Sequence, residues 1–324
     1  MIRTRVYRDG VCSAEDFDPK KISDYLGDSE NVVWLDVCEP KENEFALIAE
    51  EFALNPLAVE DALQGRQRPK LDHYSDHLFI SLYDVELDQA SGALTSSELA
   101  VFVSPRYLIT VRQDRHFPIE EVVQRWDGAH HLAKHGSGFL LWGLLDVVVD
   151  GHFDAVQLLD DEIEGLEDIL FDDKPHGSEV QRRSFELRKS LVVLRRVVLP
   201  TREVVSALMR REMDLVDETL MPYYQDVYDH VLRAADWTDS LRDLVSTILE
   251  TYLTIQGNKL NEIVKAITSW AAIAALPTII TGYYGMNVRL FPGANTLAGG
   301  IVAIVLMVLG VGFLYVTFKR RDWL

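Results

Sequence analysis

Apolar and polar positions follow two different rhythms along the chain. From residue 1 to about residue 136 the apolar positions fall in short runs rich in β-branched and aromatic residues, at 32–37, 78–85 and 99–103. Runs of this length, bounded by turn residues, predict strands. Ser104-Pro105-Arg106 and a further run at 107–111 make the last of them a hairpin in outline. Residues 42–52 and 56–63 predict helices, with Pro56 suited to a first helical turn. After about residue 138 everything to Tyr284 reads as helix. One segment covers 139–171 and is broken by Lys174-Pro175-His176-Gly177; a second covers 179–211, with Pro200 expected to bend it. The third runs from about residue 217 to 284 with Pro222 and Pro277 as the potential breaks. At 1.5 Å per residue it would be about 100 Å long, a length typical of a coiled coil, a stalk or a membrane protein.

Residues 297–318 carry no charge, and that length matches a bilayer. They end in Lys319-Arg320-Arg321, a positive cluster that predicts a cytoplasmic C-terminus. Residues 266–283 are also uncharged but more polar, with Thr268, Ser269, Thr278, Thr281 and Gly282. Across a short link the two predict a helical hairpin through the plasma (inner) membrane, which returns the chain to its starting side. The expected architecture is α+β. A cytoplasmic α/β domain (1–136) precedes a helical hairpin (137–216) and a stalk helix (217–265). The stalk runs into a first, pore-lining transmembrane helix (266–284). An external loop (285–296), a second transmembrane helix (297–318) and a basic tail (319–324) complete it.

Composition narrows the function. Against 32 basic side chains stand 51 acidic ones, a net charge of −19, which argues against a nucleic-acid partner. Cys12 and Cys38 lie far apart with no CxxC pair. That argues against a disulfide scaffold or cysteine zinc site and favours a reducing compartment. The start, MIRTRVYRDG, has no apolar stretch of a cleaved signal. Within 154–173 nine acids occur without a Lys or Arg until Lys174. Like charges at helical spacing repel, so Arg182, Arg183, Arg188, Lys189, Arg195 and Arg196 of the next helix are expected to neutralise them, with loose cation binding as the lesser alternative.

Counting by threes and fours along the long helix gives Asn261, Val264, Thr268, Ala271, Ala275, Thr278 and Gly282. Every member is small or polar, while Ile263, Trp270, Ile273, Ile280 and Tyr284 point elsewhere. Small residues at this spacing let membrane helices pack closely, and polar residues inside a membrane mark ion paths. The stripe continues backwards through Gly257, Thr254, Glu250, Thr247, Asp243, Ser240 and Asp236. A coiled-coil seam would be apolar there. An acidic, hydroxylated stripe suits a water-filled funnel in which Glu250 and Asp243 concentrate cations. One helix cannot enclose a pore, so several copies must assemble about an axis. A solvated acidic face remains the plain alternative.

The first span ends in Tyr284-Gly285-Met286-Asn287. With two C-terminal spans, a long stalk and a basic tail ending Trp323-Leu324, this resembles the CorA family of magnesium channels. Val59-Glu60-Asp61, Gln67-Arg68-Pro69-Lys70 and Tyr224-Gln225-Asp226-Val227-Tyr228-Asp229-His230 match the same family, so the resemblance covers nearly the whole chain. It implies a homopentamer taking up magnesium, with cobalt or nickel as further cargo. Gly285, Met286 and Asn287 would form the mouth, and Asn261, Val264, Thr268, Ala271, Ala275 and Thr278 would line the pore. Magnesium sheds water reluctantly, so a neutral amide ring can capture it hydrated. The family also implies regulation by intracellular magnesium at positions matching Asp61 and Asp226. A capping or salt-bridge role is the alternative for Asp61.

One departure stands out. The loop Val288-Arg289-Leu290-Phe291-Pro292-Gly293 has one Arg and no acid, where many relatives carry an acidic loop. This favours cobalt, nickel or zinc as cargo, since a zinc-transporting branch shares the architecture, although that branch usually carries Gly-Ile-Asn and this chain has Met286. A membrane-anchored scaffold is the rival class. His73/His77 and His131/His135 have the spacing of a helical zinc pair, but the first leads into a strand and the second lacks a carboxylate. No phosphate-binding loop and no nucleophile–base pair is present, so neither an enzyme nor an organic cofactor is expected.

Overall fold

The structure is a computed structural model describing residues 1–65, 67–88, 92–171, 177–210, 213, 215–286 and 297–324. It divides into two compact units, Met1–Leu249 and Glu250–Leu324.

The first unit is built on seven strands: β1 (Ile2–Arg8), β2 (Val11–Glu15), β3 (Asn31–Cys38), β4 (Lys70–His73), β5 (Leu78–Asp88), β6 (Ala93–Ser104) and β7 (Tyr107–Arg112). Their order is β2-β1-β3-β7-β6-β5-β4. Only β3 and β7 run parallel, and the expected hairpin is β6–β7, closing at Ser104 opposite Tyr107. Alternation along the strands sends Leu35, Val37, Phe79, Phe102 and Ile109 to one face. There they pack on α1 (Ile22–Leu26), α2 (Glu42–Glu51) and α3 (Pro56–Gln64) through Ile22, Phe45, Ile48, Phe52 and Ala58. Asn55 caps α3 by accepting from the Leu57 N–H at 2.9 Å, which leaves Pro56 at the position where its missing donor costs nothing.

On the other face Trp34 meets Trp126 of α4 (Ile119–Gly128) edge-on, with centroids 4.8 Å apart. Trp126 also donates to the Leu140 carbonyl in α5 (Ser137–Phe171) at 3.0 Å. Gly143 permits this approach, since a Cβ there would lie 2.6 Å from the indole. Asp36 and Arg112 form a buried ion pair at 2.6 Å, with Thr110 donating to the same carboxylate at 2.7 Å.

The strands β1, β2 and β4 escape sequence reading because β2 and β4 are short and have no buried residue, while β1 buries polar groups beside its apolar ones. Arg5 in β1 is 9 % exposed yet reaches Glu15 at 2.7 Å and Asp127 at 2.9 Å. Burial opposes its charge, but the hydrogen bonds to Asp127, Tyr7 and Glu15 outweigh it and raise its pKa.

The long helices are α5, α6 (Gly177–Leu208), α7 (Met221–Tyr284) and α8 (Leu297–Arg320). Pro200 lies inside an unbroken α6, and Pro222 falls in the first turn of α7, where proline starts a helix rather than breaking one. The expected neutralisation of the α5 acids by α6 is realised at Arg183–Glu162, 2.7 Å. Arg195 instead reaches Asp239 of α7 at 2.7 Å, and Arg182 pairs with Glu186 in its own helix at 3.0 Å. Asp172 and Asp173 lie outside the described residues. Within the first unit α7 buries Tyr224, Val227, Val231, Ala234, Thr238, Leu241, Val245 and Ile248, an unbroken three-four pattern.

In the second unit the remainder of α7 meets α8. A Cβ on Gly310 would lie 2.4 Å from Leu276 Cδ2, so glycine is what lets the two helices touch there. The buried residues of this unit are small: Ser269, Gly299 and Ala303. Both helices are long and apolar enough to cross a membrane.

Candidate functional site

The two units hold the predicted residues in different settings. In the second, Asn261, Val264, Thr268, Ala271, Ala275 and Thr278 are all exposed. The face of α7 against α8 carries Leu276 and the buried Ser269. At about 100° per residue, Thr268, Ala271, Ala275 and Thr278 lie roughly 80–160° round the helix from Leu276. The stripe of small residues is therefore not the seam of this hairpin. Thr278 turns its hydroxyl back on the helix, donating to the Ala274 carbonyl at 3.1 Å, and Thr254 does the same to the Glu250 carbonyl at 2.9 Å. A hydroxyl whose proton is spent this way presents only lone pairs outward, which suits a cation or its water shell. Glu250 is exposed at the start of this unit.

In the first unit the exposed edge of α7 carries Asp236, Ser240, Asp243 and Thr247, opposite its buried pattern. Ser240 and Thr247 donate to the carbonyls of Asp236 and Asp243 at 2.9 and 3.0 Å. The same device thus recurs along the helix.

At the end of α7 the Gly285 N–H donates to the Thr281 carbonyl at 2.8 Å, and Met286 is 53 % exposed. Pro277 supplies no N–H to the preceding turn. Separately, the Thr281 hydroxyl donates to the Pro277 carbonyl at 2.9 Å. Asn287 and the loop 288–293 lie outside the described residues.

Asp61, on α3, is half-buried and already partnered. It accepts from Gln67 Nε2 at 3.0 Å and from Lys70 Nζ at 2.7 Å, and Lys70 also meets Asp72 at 2.6 Å. Burial works against the Lys70 charge, but hydrogen bonds to both aspartates outweigh it and raise its pKa. Asp226, in contrast, is 68 % exposed and 3.7 Å from His230. Among the described residues of one chain the two carboxylates have no hydrogen-bond or ion-pair partner in common.

A model of the family described as "CorA-like Mg2+ transporter protein" matches residues 29–320. The chain belongs to that family. It is 31% identical over 321 residues to the cobalt/magnesium transport protein CorA of Thermotoga maritima, covering 96% of this chain and 90% of that one. The zinc transport protein ZntB of Yersinia pseudotuberculosis is 25% identical over 278 residues, covering 84% and 82%. The complete structure of the CorA magnesium transporter from Methanocaldococcus jannaschii superimposes with a TM-score of 0.78 at 23% identity, over 100% of this chain and 98% of that one, and so shares its fold. CorA-like proteins are transporters rather than enzymes.

One cluster went unread in the sequence. Asp146 and Asp150 are one helical turn apart on α5 and converge with His230 of α7, their ligand atoms within 4.8 Å of one another. Their four-residue spacing was visible; the contribution of a residue eighty positions away was not. Arg125 already pairs with both carboxylates, reaching Asp150 at 2.9 Å. The histidine pairs, conversely, make no zinc site. His131 and His135 lie in a 3-10 turn, where a four-residue step does not share a face, and His77 is a core residue stacked on Tyr74. Burial lowers the His77 pKa, since desolvation disfavours the charged imidazolium.

Proposed function

We propose that this chain assembles as a homopentameric channel in the plasma (inner) membrane and takes up magnesium, with cobalt and nickel as further cargo. The observation that carries the proposal is the polar stripe of α7, exposed and turned away from the α8 contact in the second unit. Five copies of such a face would make a water-filled path without breaking the hairpin. Glu250 and Asp243 would raise the cation concentration at its inner end. Gly285, Met286 and Asn287 would form the outer mouth, capturing the ion with its water. An inside-negative potential favours entry of a divalent ion by about 4.6 kcal/mol per 100 mV, twice the single-charge value. Both termini would lie in the cytoplasm, with 266–284 and 297–318 as the spans.

Regulation by intracellular magnesium would use Asp61 of one copy and Asp226 of the next. Their hard oxygen donors suit magnesium and leave room for its water. Lys70 holds Asp61 in the single chain, so the incoming ion would share or displace that ammonium. In an Asp61→Ala/Asp226→Ala variant, high internal magnesium is expected no longer to suppress uptake; unchanged suppression would remove these residues from the role.

A proton-coupled zinc transporter of the same fold is the second reading, favoured by the zinc-transporting relative and the acid-free outer loop. A non-conducting membrane scaffold is the least supported. Uptake into proteoliposomes under an inside-negative potential separates the three, comparing the native chain with Asn287→Ala and adding cobalt and zinc as competitors. Potential-dependent magnesium uptake that falls about a hundredfold in the variant is expected, the cost of losing hydrogen bonds worth about 2–3 kcal/mol to a hydrated ion. Zinc flux driven by a proton gradient would favour the second reading, and no flux the third.

A further inference from the structure

We propose that the end of the second unit carrying residues 319–324 is a binding site for anionic phospholipid headgroups. The site rests on the membrane reading above, and it adds a ligand that the transport role does not require.

Helix α8 does not fray into its tail. Arg321 and Trp323 donate backbone N–H bonds to the Phe318 carbonyl at 3.1 and 3.0 Å, and Asp322 takes a left-handed conformation (φ 53) to close the turn. The turn lays the Trp323 ring on Phe318, with centroids 5.7 Å apart and planes within 7°. One turn earlier, the Lys319 ammonium sits over the Tyr315 ring at 5.7 Å. Three aromatic rings and the Lys319 ammonium are thereby held beside Arg320 and Arg321 at the end of an apolar helix. Aromatic rings of this kind seat at the headgroup level of a bilayer.

The partner helix adds to the same end. In a hairpin joined by a short link the two helices run antiparallel. Counting from the Leu276–Gly310 contact at 1.5 Å per residue, Lys265 and Arg320 both fall about 15–17 Å from it on the same side. Within 259–265 and 319–324 the charged side chains are Lys259, Lys265, Lys319, Arg320 and Arg321 against Glu262 and Asp322, in a chain whose net charge is −19. Arg320 and Arg321 are exposed and have no ion-pair partner among the described residues. Guanidinium groups match phosphate oxygens in paired hydrogen bonds. Each cation near an anionic membrane surface favours binding about fivefold. Soluble phosphate has the same oxygens, but the adjoining aromatic and apolar surface is complementary to a glycerol backbone and acyl chain.

The test uses the full-length protein, reconstituted in equal phosphatidylglycerol and phosphatidylcholine, then purified in mild detergent with its retained lipids counted by native mass spectrometry. The native chain is expected to retain phosphatidylglycerol several-fold over phosphatidylcholine. Arg320→Gln/Arg321→Gln should cut that preference at least fivefold, and Trp323→Ala two- to threefold while leaving every charge in place. Equal retention of both lipids by the native chain, or a preference untouched by all three changes, would overturn the site. Displacement of phosphatidylglycerol by millimolar inorganic phosphate at constant ionic strength would assign the cations to soluble phosphate and overturn it too. Flotation of each variant with pure phosphatidylcholine vesicles keeps the membrane reading separate. A chain that does not float refutes that reading, whereas one that floats without lipid preference refutes only the site.

Discussion

The first unit hides its large apolar side chains and the second displays them. In Met1–Leu249, Trp34, Phe79, Phe102 and Phe139 are sealed inside, and Asp36 with Arg112 shows that even charges are buried when each is answered. In Glu250–Leu324, Ile267, Trp270, Leu309 and Phe313 are 58–71 % exposed, while the buried residues are Ser269, Gly299 and Ala303. Water makes the first arrangement favourable, because burying apolar surface drives folding there. In a lipid the same area gains little by burial, and close backbone packing through small residues decides which faces touch. Two solvents have thus written two opposite patterns into one chain. In the second, the exposed face that is not apolar is the one that needs a function.

The largest break in this comparison should come from the buried pair. Asp36→Ala leaves Arg112 charged without its carboxylate and is expected to cost the first unit about 3–5 kcal/mol. Tryptophan fluorescence during urea titration of the solubilised chain should record it. Retention of native stability would mean that the pair is solvated.

Next is the helix contact of the second unit. Gly310→Val drives a side chain into Leu276 and should cost about 1–3 kcal/mol by overpacking. Gly312→Val, one turn-fraction away where a Cβ meets nothing within 4 Å, should be tolerated. Equal thermal stability of the two variants in detergent would refute the contact.

A smaller effect sharpens the first unit. Burial raises the Asp84 carboxyl to about 6, and Asp84 Oδ1 lies 3.3 Å from the place a Cβ on Gly151 would occupy. A raised folded pKa means that the folded state holds the proton more tightly than the unfolded state. The stabilisation is therefore present in acid and lost as pH rises through about 6. Asp84→Asn should gain about 1–2 kcal/mol at pH 7, an advantage that fades between about pH 6 and pH 4. A pH-independent difference in melting temperature would contradict this origin.

The sequence disclosed most where one solvent or one rhythm held over many residues. Helices α5 to α8, the hairpin β6–β7 and the face of α7 all have long, regular patterns. It disclosed least where stability comes from paired polar groups. Arg5 of β1 looks like surface until Glu15 and Asp127 are seen beside it. For the site, the stripe from Asp236 to Gly282 was legible because a helix converts spacing into a face. The Lys70 bridge to Asp61 and the meeting of His230 with Asp146 and Asp150 were not, since both depend on elements brought together only by folding.

Cysteine accessibility along α7 tests the central claim, that one face of this helix lines a cation path. In a background with Cys12 and Cys38 replaced by serine and shown to conduct, single cysteines at Val264, Thr268, Ala271, Ala275 and Thr278 are compared with ones at Ile263 and Trp270, which are exposed on another face. A positively charged, membrane-impermeant thiol reagent is applied during magnesium uptake. Block at the stripe positions and none at Ile263 or Trp270 is the predicted result. Block at Ile263 and Trp270 with the stripe untouched would place the path elsewhere and contradict the account.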